Sequence, residues 1–262
     1  MHIVITGSTR GLGQGLAVEF LNQGHDVLIN GRDSKRVEEV KKSLDKRYPS
    51  NRILAYSCDV VDFSEVEKMY QYALTEFGSV DIWINNAGMD QNREHVWDYD
   101  PEHMNTIIDV NIKGVLNGTR VASERMKESG GFIYNMEGYG SNDMMSDKMS
   151  IYGMTKRAVT YFTLSAAKEV KDSQVKICLL SPGMVVTDLL LGSLPKDSEK
   201  REKSIRIFNI LADTVADVAT FLVDRIIKNK KNGVRIAWLT KTRITGRFLS
   251  QIFRKRELKG LE

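Results

Sequence analysis

Two side chains capable of acid–base chemistry lie four residues apart in the second half of the chain. Tyr152 and Lys156 are about one helical turn apart, so a helix over this segment would place both on one face. A tyrosine with its ordinary pKa of about 10 exchanges protons poorly at neutral pH, but a neighbouring ammonium group lowers that pKa. Tyr152 could then exchange a proton with a reacting carbonyl oxygen. The alternative is an exposed helical pair without a chemical role.

A glycine-rich segment near the start of the chain points to an anion. Residues 1–6 form an apolar run that predicts a strand, and apolar residues recur at helical spacing over residues 16–21. Between them stand Gly7, Ser8, Thr9, Arg10, Gly11, Leu12 and Gly13. Glycines let the backbone turn sharply and approach a ligand, and the N-terminus of a helix attracts negative charge. The segment predicts a phosphate cradle, with a plain turn before a helix as the alternative.

The elements that must position these residues alternate along the chain. Further strands are expected at residues 26–30, 52–57, 80–84, 131–136, 175–180 and 234–239. Helices are expected over residues 34–47, 62–77, most of 101–129, 151–170 and 213–228. Nearly continuous apolar strands are typical of a parallel sheet covered on both faces. We therefore expect an α/β fold: residues 1–262 form a single doubly wound Rossmann-type domain with a parallel seven-stranded sheet and helices on both faces.

Charged residues follow the second and third predicted strands, where such folds bind ligands. Arg32 stands where dinucleotide folds hold the adenosine ribose, and an arginine there suits a 2′-phosphate. Arg10 adds a second positive charge, whereas Asp33 could compete for a ribose hydroxyl. Asp59 could accept a hydrogen bond from the adenine amino group, or it could cap the next helix. NADP is therefore the predicted cofactor, with solvated surface arginines as the alternative.

Composition excludes several other classes of protein. The 262 residues carry a formal net charge of +4, but no aromatic and basic motif for nucleic acid accompanies it. Cys58 and Cys178 lie in apolar runs and are expected to be buried thiols, and the four histidines lack the spacing of metal ligands. Neither a leader peptide nor a bilayer-spanning apolar run is predicted. We expect a cytoplasmic protein, or an already processed form.

Five motifs together resemble the short-chain dehydrogenase/reductase family. They are the glycine-rich segment, Asn85 to Gly88, Asn111 to Gly114, Tyr152 to Lys156, and Pro182, Gly183 and Thr187. The resemblance implies that Tyr152, Lys156 and Asn111 are catalytic, and that Asn111 holds a water linking Lys156 to solvent. It also implies a cofactor site built from the glycine-rich segment, Arg32, Asp59, Val60, Asn86, Ala87, Gly88, Tyr152, Lys156, Pro182, Gly183, Val185 and Thr187.

Three longer runs resemble the chlorophyll(ide) b reductase subgroup of that family. These runs are residues 135–141, 152–156 and 181–190. The resemblance implies NADPH-dependent reduction of a formyl group on a bulky apolar small molecule such as chlorophyll(ide) b. A generic keto or 3-oxoacyl-thioester reductase is the alternative of the same class. A cofactor-binding scaffold or sensor without turnover is the alternative of another class.

One family position departs from the usual pattern. Where the family typically has Asn-x-Ser-Ser, this chain reads Asn135, Met136, Glu137 and Gly138, followed by Tyr139. The nearest serine is Ser141, which two glycines could bring back toward the site. We predict Ser141 as the donor to the substrate oxygen, because a hydroxyl there would stabilise a developing alkoxide. Tyr139, a backbone N–H, and a mere turn role for Ser141 stay open.

Two segments near the end of the chain have more than one interpretation. Residues 188–210 are apolar at first and then charged, which suits a lid over an apolar substrate or an ordinary packed helix. Residues 243–259 are basic and amphipathic, so they could lie peripherally on an anionic membrane or dock on the domain or a neighbouring subunit. We favour docking, and we expect a homo-oligomer, either a dimer or a tetramer.

Overall fold

The computed structural model describes residues 1–192, 194, 197–251 and 256–258. Its strands are β1 (His2–Ile5), β2 (Asp26–Gly31), β3 (Ile53–Ser57), β4 (Ile82–Asn85), β5 (Gly131–Met136), β6 (Val175–Ser181), β7 (Met184–Val185), β8 (Ala212–Asp213) and β9 (Arg235–Ala237). Seven strands form one parallel sheet in the order β3-β2-β1-β4-β5-β6-β9, while β7 and β8 pair separately. The predicted seven-stranded parallel sheet is therefore confirmed.

Helices occupy most of the segments between strands. They are α1 (Gly11–Asn22), α2 (Ser34–Arg47), α3 (Phe63–Phe77), α4 (Pro101–Ile108), α5 (Gly114–Arg125), α6 (Ser150–Glu169), α7 (Asp188–Gly192), α8 (Ser198–Leu211), α9 (Val215–Lys228) and α10 (Lys241–Ser250). A short 3-10 helix spans Val96–Asp98, and a π-helical turn over Asp109–Lys113 joins α4 to α5. No helix within the described ranges is long and apolar enough to cross a membrane.

The sheet is buried between two apolar layers. Residues of α1, α2 and α9 pack on one face, and residues of α3, α5 and α6 pack on the other. Alternate residues of one strand serve opposite layers: Ile3 and Ile5 belong to the first, and Val4 belongs to the second. Because both faces are covered, the strands read as continuous apolar runs in the sequence.

The strand order in the sheet reverses direction beside β1, and this reversal determines where a ligand cleft forms. β1 pairs with β2 on one side and with β4 on the other. The connections that leave β1 and β4 therefore diverge, and in doubly wound sheets the ligand binds in the crevice between them. The glycine-rich segment follows β1, and Asn86 follows β4, so both stand at this crevice.

The basic C-terminal segment contacts the domain through Asp213. This aspartate is only 3% exposed, and it accepts hydrogen bonds from Arg247 (2.7 Å) and Arg256 (2.5 Å). The contacts favour docking of the basic segment on its own domain, although residues 252–255 and 259 lie outside the described part. The predicted lid comprises α7 and α8, and residues 193, 195 and 196 within it also lie outside the described part.

Candidate active site

The glycine-rich segment is packed tightly against the segment after β4. Gly7 has a positive φ of 62°, and a Cβ there would lie 2.7 Å from the Cα of Ala87. A Cβ on Gly13 would lie 2.4 Å from the side-chain nitrogen of Asn86. Thr6 fastens the two segments, because its hydroxyl oxygen accepts hydrogen bonds from the N–H groups of Asn86 (3.0 Å) and Ala87 (3.1 Å). Only glycine fits these two positions, and the segment leads directly into α1, which begins at Gly11.

The segment after β6 meets the same cradle from the other side. A Cβ on Gly11 would make an ordinary contact at 3.5 Å with the methyl group of Thr187. Thr187 belongs to the loop that begins at Pro182 and Gly183 and passes through Val185. Because β7 in this loop pairs with β8, the backbone of Val185 is held next to Asp213. The structure thus brings together the predicted cofactor residues of three separate loops.

Arg32 and Asp59 lie side by side at the far end of the cradle. Their side chains are 3.9 Å apart and 64% and 40% exposed. Asp59 accepts a hydrogen bond from the N–H of Val61 (3.0 Å), whereas α3 is capped by Asp62. The alternative that Asp59 caps that helix is therefore wrong. Arg10 is the exposed N-cap residue of α1, and the exposed charges of Arg10 and Arg32 suit a phosphate group.

Tyr152 and Lys156 occupy one face of α6 as predicted, and both are buried. They are 9% and 4% exposed, and the Lys156 Nζ lies 5.7 Å from the centre of the Tyr152 ring. The Lys156 ammonium group donates a hydrogen bond to the carbonyl oxygen of Met136 at 3.3 Å. A Cβ on Gly88 would lie 3.5 Å from Lys156 Nζ, and a Cβ on Gly138 would lie 2.5 Å from the Tyr152 hydroxyl. The pair therefore faces the ends of β4 and β5.

Burial controls the protonation of this pair. It raises the pKa of Tyr152 above its ordinary value, and the negative charge of Asp90 raises it further while Arg93 lowers it. Burial lowers the pKa of Lys156 to about 8, whereas the negative charges of Asp90 and Glu137 act to raise it. The sequence predicted a lowered pKa for Tyr152, because spacing reveals the lysine but not the loss of solvent around the phenol. A phenol that keeps its proton suits a proton donor.

Asn111 lies on the π-helical turn and holds the segment after β4. It is fully buried, and its side chain accepts a hydrogen bond from the Met89 N–H (2.7 Å) and donates one to the Met89 carbonyl (2.8 Å). It also donates to the hydroxyl of Thr155, the residue before Lys156 (3.1 Å). A Cβ on Gly88 would lie 3.4 Å from its side-chain oxygen. Asn111 thus stands next to Lys156, and its role with a bound water stays a prediction.

Ser141 is buried against the backbone of α6. Its hydroxyl accepts a hydrogen bond from the Gly138 N–H (3.2 Å) and donates to the carbonyl of Lys156 (3.3 Å). The backbone that approaches the Tyr152 hydroxyl is that of Gly138. Tyr139 is partly buried next to it. The predicted role of Ser141 as the donor to the substrate oxygen therefore stays a prediction, alongside the Tyr139 alternative.

Two polar residues that the sequence did not single out lie behind the site. Glu137 has a side chain that is 1% exposed and accepts hydrogen bonds from Thr160 (2.7 Å) and Arg235 (2.8 Å). Gln91 is 6% exposed and bonds to the backbone of Tyr152. Glu137 could have been noticed in the sequence only because a carboxylate directly follows the apolar strand β5. Nothing in the sequence pattern indicates a role for Gln91.

The comparisons with known proteins agree with this geometry. The family model described as short chain dehydrogenase matches residues 1–197. The chain belongs to the short-chain dehydrogenase family. Tyr152 and Lys156 occupy the Y-x-x-x-K motif that is typical of that family.

Two curated plant relatives and one solved structure show how far the similarity extends. Probable chlorophyll(ide) b reductase NYC1, chloroplastic, of Arabidopsis thaliana is 35% identical over 260 residues, which cover 93% of this chain and 51% of that protein. Chlorophyll(ide) b reductase NOL, chloroplastic, of Oryza sativa subsp. japonica is 35% identical over 237 residues, covering 86% and 66%. This short-chain dehydrogenase thus spans about half the length of NYC1.

The solved structure confirms the fold. A short chain dehydrogenase from Burkholderia cenocepacia J2315 in complex with NADP superposes with a TM-score of 0.76 at 22% identity, covering 90% of this chain and 94% of that one. The predicted resemblance to the chlorophyll(ide) b reductase subgroup is likewise confirmed by the plant relatives.

Proposed function

We propose that this short-chain dehydrogenase uses NADPH to reduce the carbonyl group of a bulky apolar small molecule, with the formyl group of a chlorophyll(ide) b-like tetrapyrrole as the first candidate. The observation that carries the proposal is the convergence of the glycine cradle and the Tyr152–Lys156 pair at one edge of the sheet. The plant relatives, whose names include chlorophyll(ide) b reductase, support the substrate class.

The residues at the crevice fit a nicotinamide dinucleotide phosphate. Gly7 and Gly13 let the turn pack against the segment after β4, and the turn leads into the N-terminus of α1, where backbone N–H groups favour a phosphate. Arg32 and Arg10 would hold the 2′-phosphate, and Lys156 would hold the nicotinamide ribose. When bound, the cofactor supplies the hydride, and the protein supplies orientation and proton transfer.

Tyr152 would donate the proton that the reduced carbonyl oxygen needs. Its buried phenol keeps its proton at neutral pH, as a donor requires. The Lys156 ammonium group, close to the Tyr152 ring, would stabilise the phenolate left after the transfer. The arrangement therefore favours reduction of a carbonyl group.

The exposed apolar side chains around the site suit a large substrate. Trp97 is 76% exposed and stacks on His95 with ring centres 4.8 Å apart, and Met145 is 91% exposed. Trp97 lies in the connection after β4, Met145 lies in the connection after β5, and Leu189, 44% exposed, follows β7. These connections leave the carboxyl ends of neighbouring strands, which is the side where Tyr152 lies. Their apolar surfaces would cover a bulky ring system.

The test compares bulky formyl compounds, including formyl tetrapyrroles, with small polar ketones in an assay of NADPH oxidation. We expect a higher kcat/KM for bulky apolar aldehydes. Trp97→Ser should lower that value selectively, whereas Phe248→Ser on α10, which is 48% exposed in the parent chain, is the matched control and should not. Higher kcat/KM for a small polar ketone than for every bulky aldehyde would reject the substrate class, and no turnover would favour a scaffold.

We also propose that the protein forms a homo-oligomer. Leu116 on α5 and Tyr161 and Leu164 on α6 are 38%, 77% and 41% exposed. Both helices pack on the same face of the sheet, and grouped exposed apolar side chains mark an interface with another chain. Sedimentation of the parent chain beside Tyr161→Asp tests this, because a charge on a buried interface should dissociate it. A monomeric parent would contradict the proposal.

A further inference from the structure

The helix that carries Tyr152 begins without a local cap. The residue at the N-cap of α6 is Met149, whose side chain makes no capping hydrogen bond. The first N–H groups of a helix have no partner within the helix, and a serine, threonine or aspartate at the N-cap usually accepts from the second or third of them. In α6, the third residue is Tyr152 itself.

A residue from another part of the chain replaces this cap. The side-chain oxygen of Gln91 accepts a hydrogen bond from the Tyr152 N–H at 2.6 Å, across 61 residues of sequence. Gln91 lies in the connection after β4 and is 6% exposed, so water competes little for this bond. The residue expected to transfer the proton is thus held through its own backbone.

The nitrogen of the same amide contacts two further residues. It donates hydrogen bonds to the carbonyl oxygen of Lys148 (2.9 Å) and to the hydroxyl of Tyr99 (3.1 Å). The Tyr99 hydroxyl is in turn 2.7 Å from the hydroxyl of Ser150, the first residue of α6. Gln91 therefore joins the connection after β4, the end of the connection after β5, and the first turn of α6.

We infer that Gln91 is a positioning residue that fixes Tyr152 relative to the substrate and the cofactor. The inference rests on the proposed acid–base role of Tyr152. An amide suits the position because one end must accept from an N–H group while the other donates to a carbonyl, which neither a carboxylate nor an apolar side chain can do. Gln91 would not touch the substrate, and it would act through the backbone of α6.

The test separates positioning from helix capping. Gln91→Met keeps the length of the side chain and removes every hydrogen bond of the amide, including a longer one to the carbonyl oxygen of Asn92 (3.4 Å). Met149→Ser offers α6 a local cap. We expect Gln91→Met to lower kcat about tenfold or more, because misplacement of a reacting group is costly, with the NADPH dissociation constant within twofold of the parent. It should also lower Tm and speed hydrogen exchange at residues 150–156.

The double variant Gln91→Met, Met149→Ser should recover Tm and exchange protection, while kcat stays at least about fivefold below that of the single variant Met149→Ser. Recovery of kcat together with Tm would show that Gln91 only caps the helix, and an unchanged kcat in Gln91→Met would also overturn the inference. If the parent chain reduces no carbonyl compound, the proposed function fails. In that case, faster hydrogen exchange at residues 150–156 in Gln91→Met than in the parent still tests whether Gln91 holds the Tyr152 amide.

Discussion

Gly138 gives the most direct test of the active-site geometry. A Cβ at this position would lie 2.5 Å from the Tyr152 hydroxyl oxygen and 3.1 Å and 3.2 Å from Cγ and Cε of Lys156. Because Tyr152 and Lys156 are buried on α6, the phenol must shift by about 1 Å to admit a methyl group. A displacement of this size can cost about a hundredfold in rate, or about 2.7 kcal/mol of barrier. Gly138→Ala should therefore lower kcat by that order.

The φ of Gly138 is not positive, so alanine introduces no backbone strain and any loss reflects contact with the site. The assay is single-turnover oxidation of NADPH with the best aldehyde, with Tm measured in parallel. Gly153→Ala is the matched control, because Gly153 lies on α6 next to Tyr152 and the nearest atom to its Cβ outside the helix would be 3.9 Å away. We expect the control to keep kcat within about threefold, since alanine favours a helix. A Gly138→Ala enzyme within threefold of the parent would refute the geometry.

Five further substitutions test individual roles. Tyr152→Phe should abolish turnover and leave NADPH affinity nearly unchanged. Lys156→Ala should lower both turnover and NADPH affinity. A Tyr152→Phe enzyme that keeps most of its kcat would contradict the acid–base role. Arg32→Asp should weaken NADPH binding about tenfold to a hundredfold relative to NADH by losing a charged contact with the 2′-phosphate, and a parent chain that binds NADH equally well would reject this. Ser141→Ala should lower kcat about a hundredfold to a thousandfold, as loss of an oxyanion donor does. If Ser141→Ala keeps kcat within threefold of the parent while Tyr139→Phe loses most of its kcat, Tyr139 rather than Ser141 is the donor.

The fold was predictable because its physical causes act locally in the sequence. A strand buried on both faces must be apolar throughout, so β5 was predicted to the residue as Gly131–Met136. α2 was likewise predicted to the residue as Ser34–Arg47. Since ligands bind at the carboxyl ends of parallel strands, the residues directly after each strand mark the crevice. The glycine cradle and Arg32 were identified in this way, whereas the Tyr152–Lys156 pair was identified by its helical spacing.

The surroundings of the catalytic pair depended on the tertiary structure. Gln91 caps the helix of Tyr152 across 61 residues, and Arg235 reaches Glu137 across 98 residues. Such contacts join side chains that share no periodic pattern, so the sequence carries no local signal for them. The direction of the Tyr152 pKa shift was missed for a related reason. Spacing along a helix determines which groups are neighbours, but desolvation depends on the elements that cover them, and only the folded chain decides that.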